Sequence, residues 1–461
     1  MKLISICTKY TKNTIIYFTN KDKMMKKGRK NMRNLKKWTA VGLVAVMSVT
    51  TFAGCGNNGG NNGGGDSGEL GGELDVAIWD GGQQAGLQQI LDDFTAETGV
   101  KTNLQVITWD SYWTLLEAGA QGGDMPDVFW MHSNEAVRYM SNGILLDITD
   151  QVNSSEVLEM DKFPEDLKEM YQYDGKTYAL PKDMDTVAIW YNKTMFDEAG
   201  IPYPDGSWTW DDFYEIAKQL TKDDGSQYGF AANPSNEQDT WMNIIYTMGG
   251  CVLNEEGKSG FDDPKTIEAM EFVDKLIKEV MPPASTMSET GTDVLFNSGK
   301  VAMISQGSWM VAPFKENEYI VEHADVARLP KDSETGRSIS IYNGLGWAAS
   351  AETDNPTAAY KLIEWFATKE MQQKQAELGV TMAAYEGVSE AWVNSTTEFN
   401  LQPYLDAMED TVFRPATKST LAWWNPMVEE FKKVWNGEEE MVTACENVTT
   451  MMNEKIAEEA Q

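Results

Sequence analysis

From residue 73 onward, the apolar positions of this 461-residue chain change spacing in a regular order. Glu73 to Trp79 predicts a strand. Leu87, Ile90, Leu91 and Phe94 then keep the i, i+3, i+4, i+7 spacing of a helix face, and Gly99 ends it. Lys101 to Ile107 predicts a second strand. Tyr112, Leu115, Leu116 and Gly119 repeat the helical spacing before Gly122-Gly123. Asp127 to Met131 predicts a short apolar strand, and Ala136, Val137 and Met140 a short helix that stops at Gly143. Strand and helix in alternation imply an α/β fold with a mainly parallel sheet covered on both faces.

Past Tyr173-Asp174-Gly175-Lys176 the elements change character. Thr186 to Tyr191 is a β-branched and aromatic run. Thr209 with Asp212 can cap a helix whose inner face is Phe213, Ile216, Ala217 and Leu220. Asp263-Pro264 opens another helix, with proline in the first turn where its missing N–H is harmless. Asn355-Pro356 opens a third, and the acidic stretch from Trp424 onward predicts mostly helix. No internal repeat interrupts this order.

The chain ahead of residue 73 has a different composition. Basic residues from Lys26 to Lys37 precede an apolar run, Ala40 to Val49, and then Ala53-Gly54-Cys55. That order describes an export signal, and the run is shorter than the roughly 20 residues of a membrane span. Ala-Gly-Cys resembles a bacterial lipoprotein signal, which implies that Cys55 receives a diacyl lipid and becomes the new N-terminus. Residues 1–54 are the expected signal, with the true start at Met24 or later, and the Gly/Asn-rich residues 55–72 the expected tether. Residues 1–54 hold 12 of the 38 Lys and Arg and one of the 71 Asp and Glu, so the remainder carries 26 against 70, net −44. Such a chain repels nucleic acid. Cys251 and Cys445 are left over, too few for a disulfide framework, and two separate buried thiols are expected.

Much familiar chemistry is missing. Only two histidines occur, His132 and His323, and no metalloprotease, nucleophile-elbow, phosphate-loop or Cys-x-x-Cys motif accompanies them. No metal and no cofactor is expected. Tryptophan, in contrast, occurs 16 times. Trp79-Asp80 ends the first predicted strand, Trp109-Asp110-Ser111-Tyr112-Trp113 follows the second, and Trp130-Met131-His132-Ser133-Asn134 ends the third. Carboxyl ends of parallel strands are where open α/β sheets bind ligands. An indole stacks on the apolar face of a sugar ring, while Asp and Asn side chains serve its hydroxyls. Trp79, Asp110, Trp113, Trp130, His132, Ser133 and Asn134 are therefore candidate ligand contacts.

Several stretches in fixed order resemble the extracellular solute-binding proteins of bacterial ATP-driven carbohydrate importers, the family that includes maltose-binding protein. They are Phe94-Thr95-Ala96-Glu97-Thr98-Gly99, Gly123-Asp124-Met125-Pro126-Asp127-Val128-Phe129-Trp130, Tyr173 to Pro181, Tyr191-Asn192-Lys193, Trp208 to Asp212, Ser298 to Met303 and Gly307-Ser308-Trp309. The resemblance implies two α/β lobes, residues 73–183 plus about 343–385 and about 186–340 plus about 388–461, joined by a hinge of three crossings. It assigns polar pocket positions to Gln83, Gln84, Asp185 and the loop Asn236 to Gln238, and makes Trp241, just past that loop, a further candidate ligand contact. It puts stacking aromatics at Trp130, Trp309 and Trp424 or its neighbour Trp423. Trp113 stands where the family places a ligand-contacting Glu, and Ser133-Asn134 replaces an Asp-Arg pair, so maltose itself is not implied. The expected partners are a small carbohydrate, the transmembrane subunits of an importer, and the membrane through a lipid at Cys55. The chain is expected to be a monomer, not an enzyme, on the outer face of a Gram-positive cell. Two alternatives stay open: a surface glycoside hydrolase, and a carrier of a glycerol phosphodiester gripped by Arg414, whose guanidinium suits phosphate.

Overall fold

β1 (Glu73–Ile78) and β2 (Lys101–Val106) pair in parallel, and β3 (Val128–Met131) lies parallel on the other side of β1. This computed structural model describes residues 70–459, apart from 236 and 237 and the side chains of Asp110 and Ser288. The expected signal, the tether and Cys55 lie outside the described residues. So does Asn236 and, as a side chain, Asp110.

The helix Gln84–Thr98 connects β1 to β2 and ends where predicted, with Gly99 in the left-handed region at φ 76° and its N–H on Thr95 O. Four residues of that helix's inner face, Leu87, Ile90, Leu91 and Phe94, are buried on the sheet. β4 (Gln172–Tyr173) and β5 (Lys176–Thr177) form a small hairpin. β6 (Ala179–Pro181) then completes the first sheet together with a strand from much later in the chain, β12 (Gly346–Ala349), in the order β2-β1-β3-β12-β6. β12 runs antiparallel to both of its neighbours. Strand residues alternate between two buried faces. Leu74, Val76, Ile78, Val128, Trp130 and Trp347 point to one, and Ala77, Phe129, Met131 and Ala348 to the other.

The second sheet has the order β10-β7-β9-β8, from β7 (Val187–Asn192), β8 (Tyr228–Ala231), β9 (Val301–Gly307) and β10 (Ala324–Ala327). Only its β8–β9 pair is parallel. The architecture is two-lobed α/β, as expected. Parallel pairing is narrower than the sequence suggests, because β12 and β7 enter their sheets after the chain has crossed over and arrive reversed. The helix Trp210–Leu220 carries the predicted Thr209/Asp212 capping box, and Asp263 caps Pro264–Glu279. Helices Thr420–Trp435 and Met441–Glu459 close the second lobe against Pro264–Glu279.

Three segments run side by side between the sheets. Asp183 pairs with Ala383 and Asp185 with Asn343 as isolated bridges, next to the parallel pair β11 (Ser340–Tyr342) and β13 (Thr411–Phe413). Cys251 is half-buried and Cys445 buried, and both thiols are free. Among the described residues no helix is long and apolar enough to cross a membrane.

Candidate functional site

The carboxyl ends of β1 and β3, the crossings and the loops of the second lobe enclose one cavity of about 730 Å³. From the first lobe it is lined by Trp79, Asp80, Gln83, Trp109, His132 and Asn134. Asp183, Asp185 and Leu345 line it from the crossings. Asn233, Gln238, Trp309, Arg414 and Trp424 line it from the far side. Trp79 stands one residue past β1. Its ring meets Trp109 at 5.1 Å, Tyr112 at 5.0 Å and Trp130 at 4.9 Å, all near-perpendicular. This edge-to-face lattice holds the indole in place.

Polar groups on the wall are fixed by their neighbours. Asp80 accepts from Gly82 N–H at 2.8 Å and from Gln83 Nε2 at 3.0 Å. The other end of the Gln83 carboxamide accepts from Lys182 Nζ at 2.9 Å. Lys182 is fully buried, lies 4.4 Å from the centre of the Trp130 ring and pairs with Asp183. Asp183 also accepts from Leu345 N–H at 2.9 Å. Asp185 accepts from Gln238 Nε2 at 2.5 Å and Asn343 N–H at 3.2 Å. Burial pushes its carboxyl up to about 8, and neighbouring Asp183 pushes the same way, so it is protonated at neutral pH and can donate as well as accept.

His132 caps the helix Ser133–Ser141 by accepting from Asn134 N–H at its Nδ1, 3.1 Å away. That places the ring proton on Nε2. Asn343 Nδ2 lies 3.4 Å from Nε2, and turning the carboxamide over would bring its oxygen, unpartnered among the described residues, to the Nε2 proton as acceptor. Burial, then the charge of Arg414, hold His132 down to about 3, so it stays neutral. Arg414 donates to Asn134 Oδ1 across the cavity and lies 4.9 Å from the centre of the Trp424 ring. Trp309 packs against Gly307. A Cβ on that glycine would fall 1.9 Å from the indole, so only glycine leaves the ring its place.

The structure brings together nine of the predicted positions: Trp79, Gln83, His132, Asn134, Asp185, Gln238, Trp309, Arg414 and Trp424. It sets others elsewhere. Trp130 is fully buried because its side chain points from β3 into the face shared with Trp347 and the helix Gln84–Thr98. Trp241 is fully buried behind Trp424, its ring parallel at 6.1 Å. Trp423 faces the core too, its Nε1 on Thr417 Oγ1 at 2.8 Å. Trp113 packs on Trp79, Trp109 and Tyr139 outside the cavity. Gln84 is exposed on the first turn of its helix, and Ser133 is buried beside His132. Asp80, Trp109, Asp183, Asn233 and Leu345 are wall residues that pattern reasoning did not select. Trp109 and Asp80 each stood beside a selected residue, but nothing in the spacing set them apart.

Two sheets that share three crossings around an aromatic and polar cavity define a protein that encloses a small ligand between lobes. The sequence profile of the bacterial extracellular solute-binding proteins matches residues 79–373, and the chain belongs to that family. It is 22% identical over 388 residues to the multiple sugar-binding protein of Streptococcus mutans, covering 80% of this chain and 84% of that one. It is 22% identical over 448 residues to the maltooligosaccharide ABC transporter solute-binding lipoprotein of Streptococcus pneumoniae, covering 92% of this chain and 97% of that one. The fold is shared with an ABC substrate-binding protein of Listeria monocytogenes solved in complex with cycloalternan. The TM-score there is 0.76 at 23% identity, over 84% of this chain and 99% of that one.

Proposed function

We propose that this chain is the sugar-capturing component of an ABC importer, and that it holds an oligosaccharide between its lobes for delivery to the permease subunits. The observation that carries the reading is the wall itself. Trp79, Trp109, Trp309 and Trp424 supply flat apolar faces around one cavity, and Asp80, Gln83, Asn134, Asp185 and Gln238 alternate with them. Sugar rings present that same alternation of apolar faces and hydroxyl edges. The relatives named for sugars support it. The sites at Trp79, Gln83, His132, Asn134, Asp185, Gln238, Trp309, Arg414 and Trp424 are the proposed ligand contacts. The protein works as a monomer, without cofactor or metal and without turning over its ligand. It is held to the outer face of a Gram-positive membrane by lipid on Cys55.

The proposed hinge consists of the crossings near Asp183 to Thr186, Ser340 to Gly344 and Ala383 to Val388. The bridges that tie these segments together support it. Side chains along the first crossing alternate, with Asp183 and Asp185 on the cavity and Met184 on a separate hollow of about 540 Å³.

A phosphodiester ligand is disfavoured by the wall. Arg414 faces it, but its guanidinium is already committed to Asn134 and Trp424, and Asp80 shares the wall. A thermal-shift screen of the purified protein against mono- and oligosaccharides and glycerol phosphodiesters tests the reading. A ligand at 100 times its dissociation constant adds about 2.7 kcal/mol of stability. Stabilisation by a sugar that is recovered intact is the expected result. Stabilisation by phosphodiesters alone, or cleavage of the sugar, would overturn it.

A further inference from the structure

We infer that Trp109 is the outermost stacking platform of the cleft and sets the length of ligand that the protein prefers. The inference rests on the sugar reading above and adds a residue and a specificity to it. Trp109 is 43% exposed, and it is the one exposed tryptophan among the described residues. It is also wall: it lines the mouth of the cavity next to Trp79.

An exposed indole is ordinarily free to turn, but this one is not. Its ring is gripped by Trp79 at 5.1 Å and 81°, Trp113 at 5.7 Å and 85°, and His132 at 5.5 Å and 73°. Its backbone is fixed as well, at the first position of the helix Trp109–Gly122. Three perpendicular contacts fix the plane of the ring and leave nearly half of its surface to solvent. A pre-oriented apolar face at a cavity mouth loses little entropy when a ligand covers it. The arrangement also explains the run Trp109-Asp110-Ser111-Tyr112-Trp113. Tyr112 anchors it through hydrogen bonds to Ala77 O and Trp130 O, Trp113 buttresses, and Trp109 presents. A ligand confined to the enclosed volume reaches Trp79, Trp309 and Trp424. One that extends past Trp79 meets Trp109 next.

Covering about 100 Å² of indole is worth about sixtyfold in affinity at the usual apolar coefficient. The test is calorimetric titration of wild type, Trp109→Ala and Trp109→Phe with malto-, cello-, xylo- and galacto-oligosaccharides, each from the monosaccharide to the hexasaccharide. The ratio of mutant to wild-type dissociation constant is expected to grow with chain length in the binding series, by about tenfold or more from shortest to longest ligand. Trp109→Phe, which keeps a smaller platform, should fall between. Unfolding midpoints without ligand verify that all three proteins are folded. A ratio that is flat with length would make Trp109 a mere prop for Trp79 and overturn the inference while leaving the sugar reading intact. A wild-type protein that binds no sugar in the panel would overturn the sugar reading, and this inference with it.

Discussion

Lys182 Nζ lies 2.5 Å from Asp183 Oδ2 in the first crossing between lobes, with Lys182 fully buried and Asp183 buried at the cavity wall. Two adjacent residues that neutralise one another let a charged pair pass through the interior beside the cavity floor. The ammonium also orients Gln83, and its backbone oxygen takes Gln372 and Gln375 Nε2, each at 3.0 Å. Removing one member of such a pair leaves an uncompensated buried charge. Lys182→Met is expected to cost about 3–5 kcal/mol in urea unfolding. A loss under about 1 kcal/mol would mean that water reaches Asp183.

Trp309 and Trp130 should separate binding from folding. Trp309 lines the cavity, and Trp130 is core. Trp309→Ala is expected to weaken binding of the cognate sugar by about 2 kcal/mol or more with little change in unfolding midpoint. Trp130→Ala is expected to destabilise the protein by about 3–5 kcal/mol. The reverse pattern would contradict the wall as described.

Gly307→Ala should act through Trp309. The new methyl group cannot coexist with the indole, so the ring must swing out of its place. Affinity is expected to fall toward that of Trp309→Ala, and the emission of the displaced indole should change. Wild-type affinity in Gly307→Ala would show that the ring position is not needed.

Asp185 and His132 give stability opposite pH slopes. The folded pKa of Asp185 is raised to about 8, against about 4 when unfolded. The folded chain therefore holds this proton more tightly, and stability falls as pH rises from about 4 to 8. His132 is lowered to about 3, so the unfolded chain holds its proton more tightly, and stability is lost as pH falls from about 6.5 to 3. Asp185→Asn is expected to flatten the alkaline slope by a few kcal/mol between about pH 5 and 8, read from urea midpoints. An unaltered slope would assign that dependence to other groups.

Cys55→Ser tests the anchor. Without the thiol, the mature protein is expected in the culture medium with ligand affinity unchanged. Retention of the variant in the membrane fraction would refute lipidation at this residue.

Which parts of the site could be read from sequence follows from what periodicity reports. Alternation of strand and helix puts Trp79, Trp109 and His132 at one sheet edge, because strand ends are set by local pattern. Trp130 misleads because Val128, Phe129, Trp130 and Met131 are all apolar. A run buried on both faces gives no sign of which side chains face outward. Trp241 misleads for a related reason: it begins a helix beside the cavity loop but turns inward to back Trp424. Asp183 and Leu345 lie in crossings with no periodicity, and their approach to the cavity depends on how two distant segments pair.

The tryptophans of the wall differ in how much of the molecule depends on them. Trp424 rests on Trp241, which in turn touches Phe261 and Phe431 of the second lobe's core. Among the described rings, Trp109 touches only those of Trp79, Trp113 and His132 at the cavity wall, and it is 43% exposed. A lineage drifting toward a new diet can therefore exchange Trp109 one substitution at a time. Change at Trp424 must wait for the core beneath it to change in step. Preference at the mouth of the cleft is therefore expected to change with fewer accompanying substitutions than preference beside Trp424.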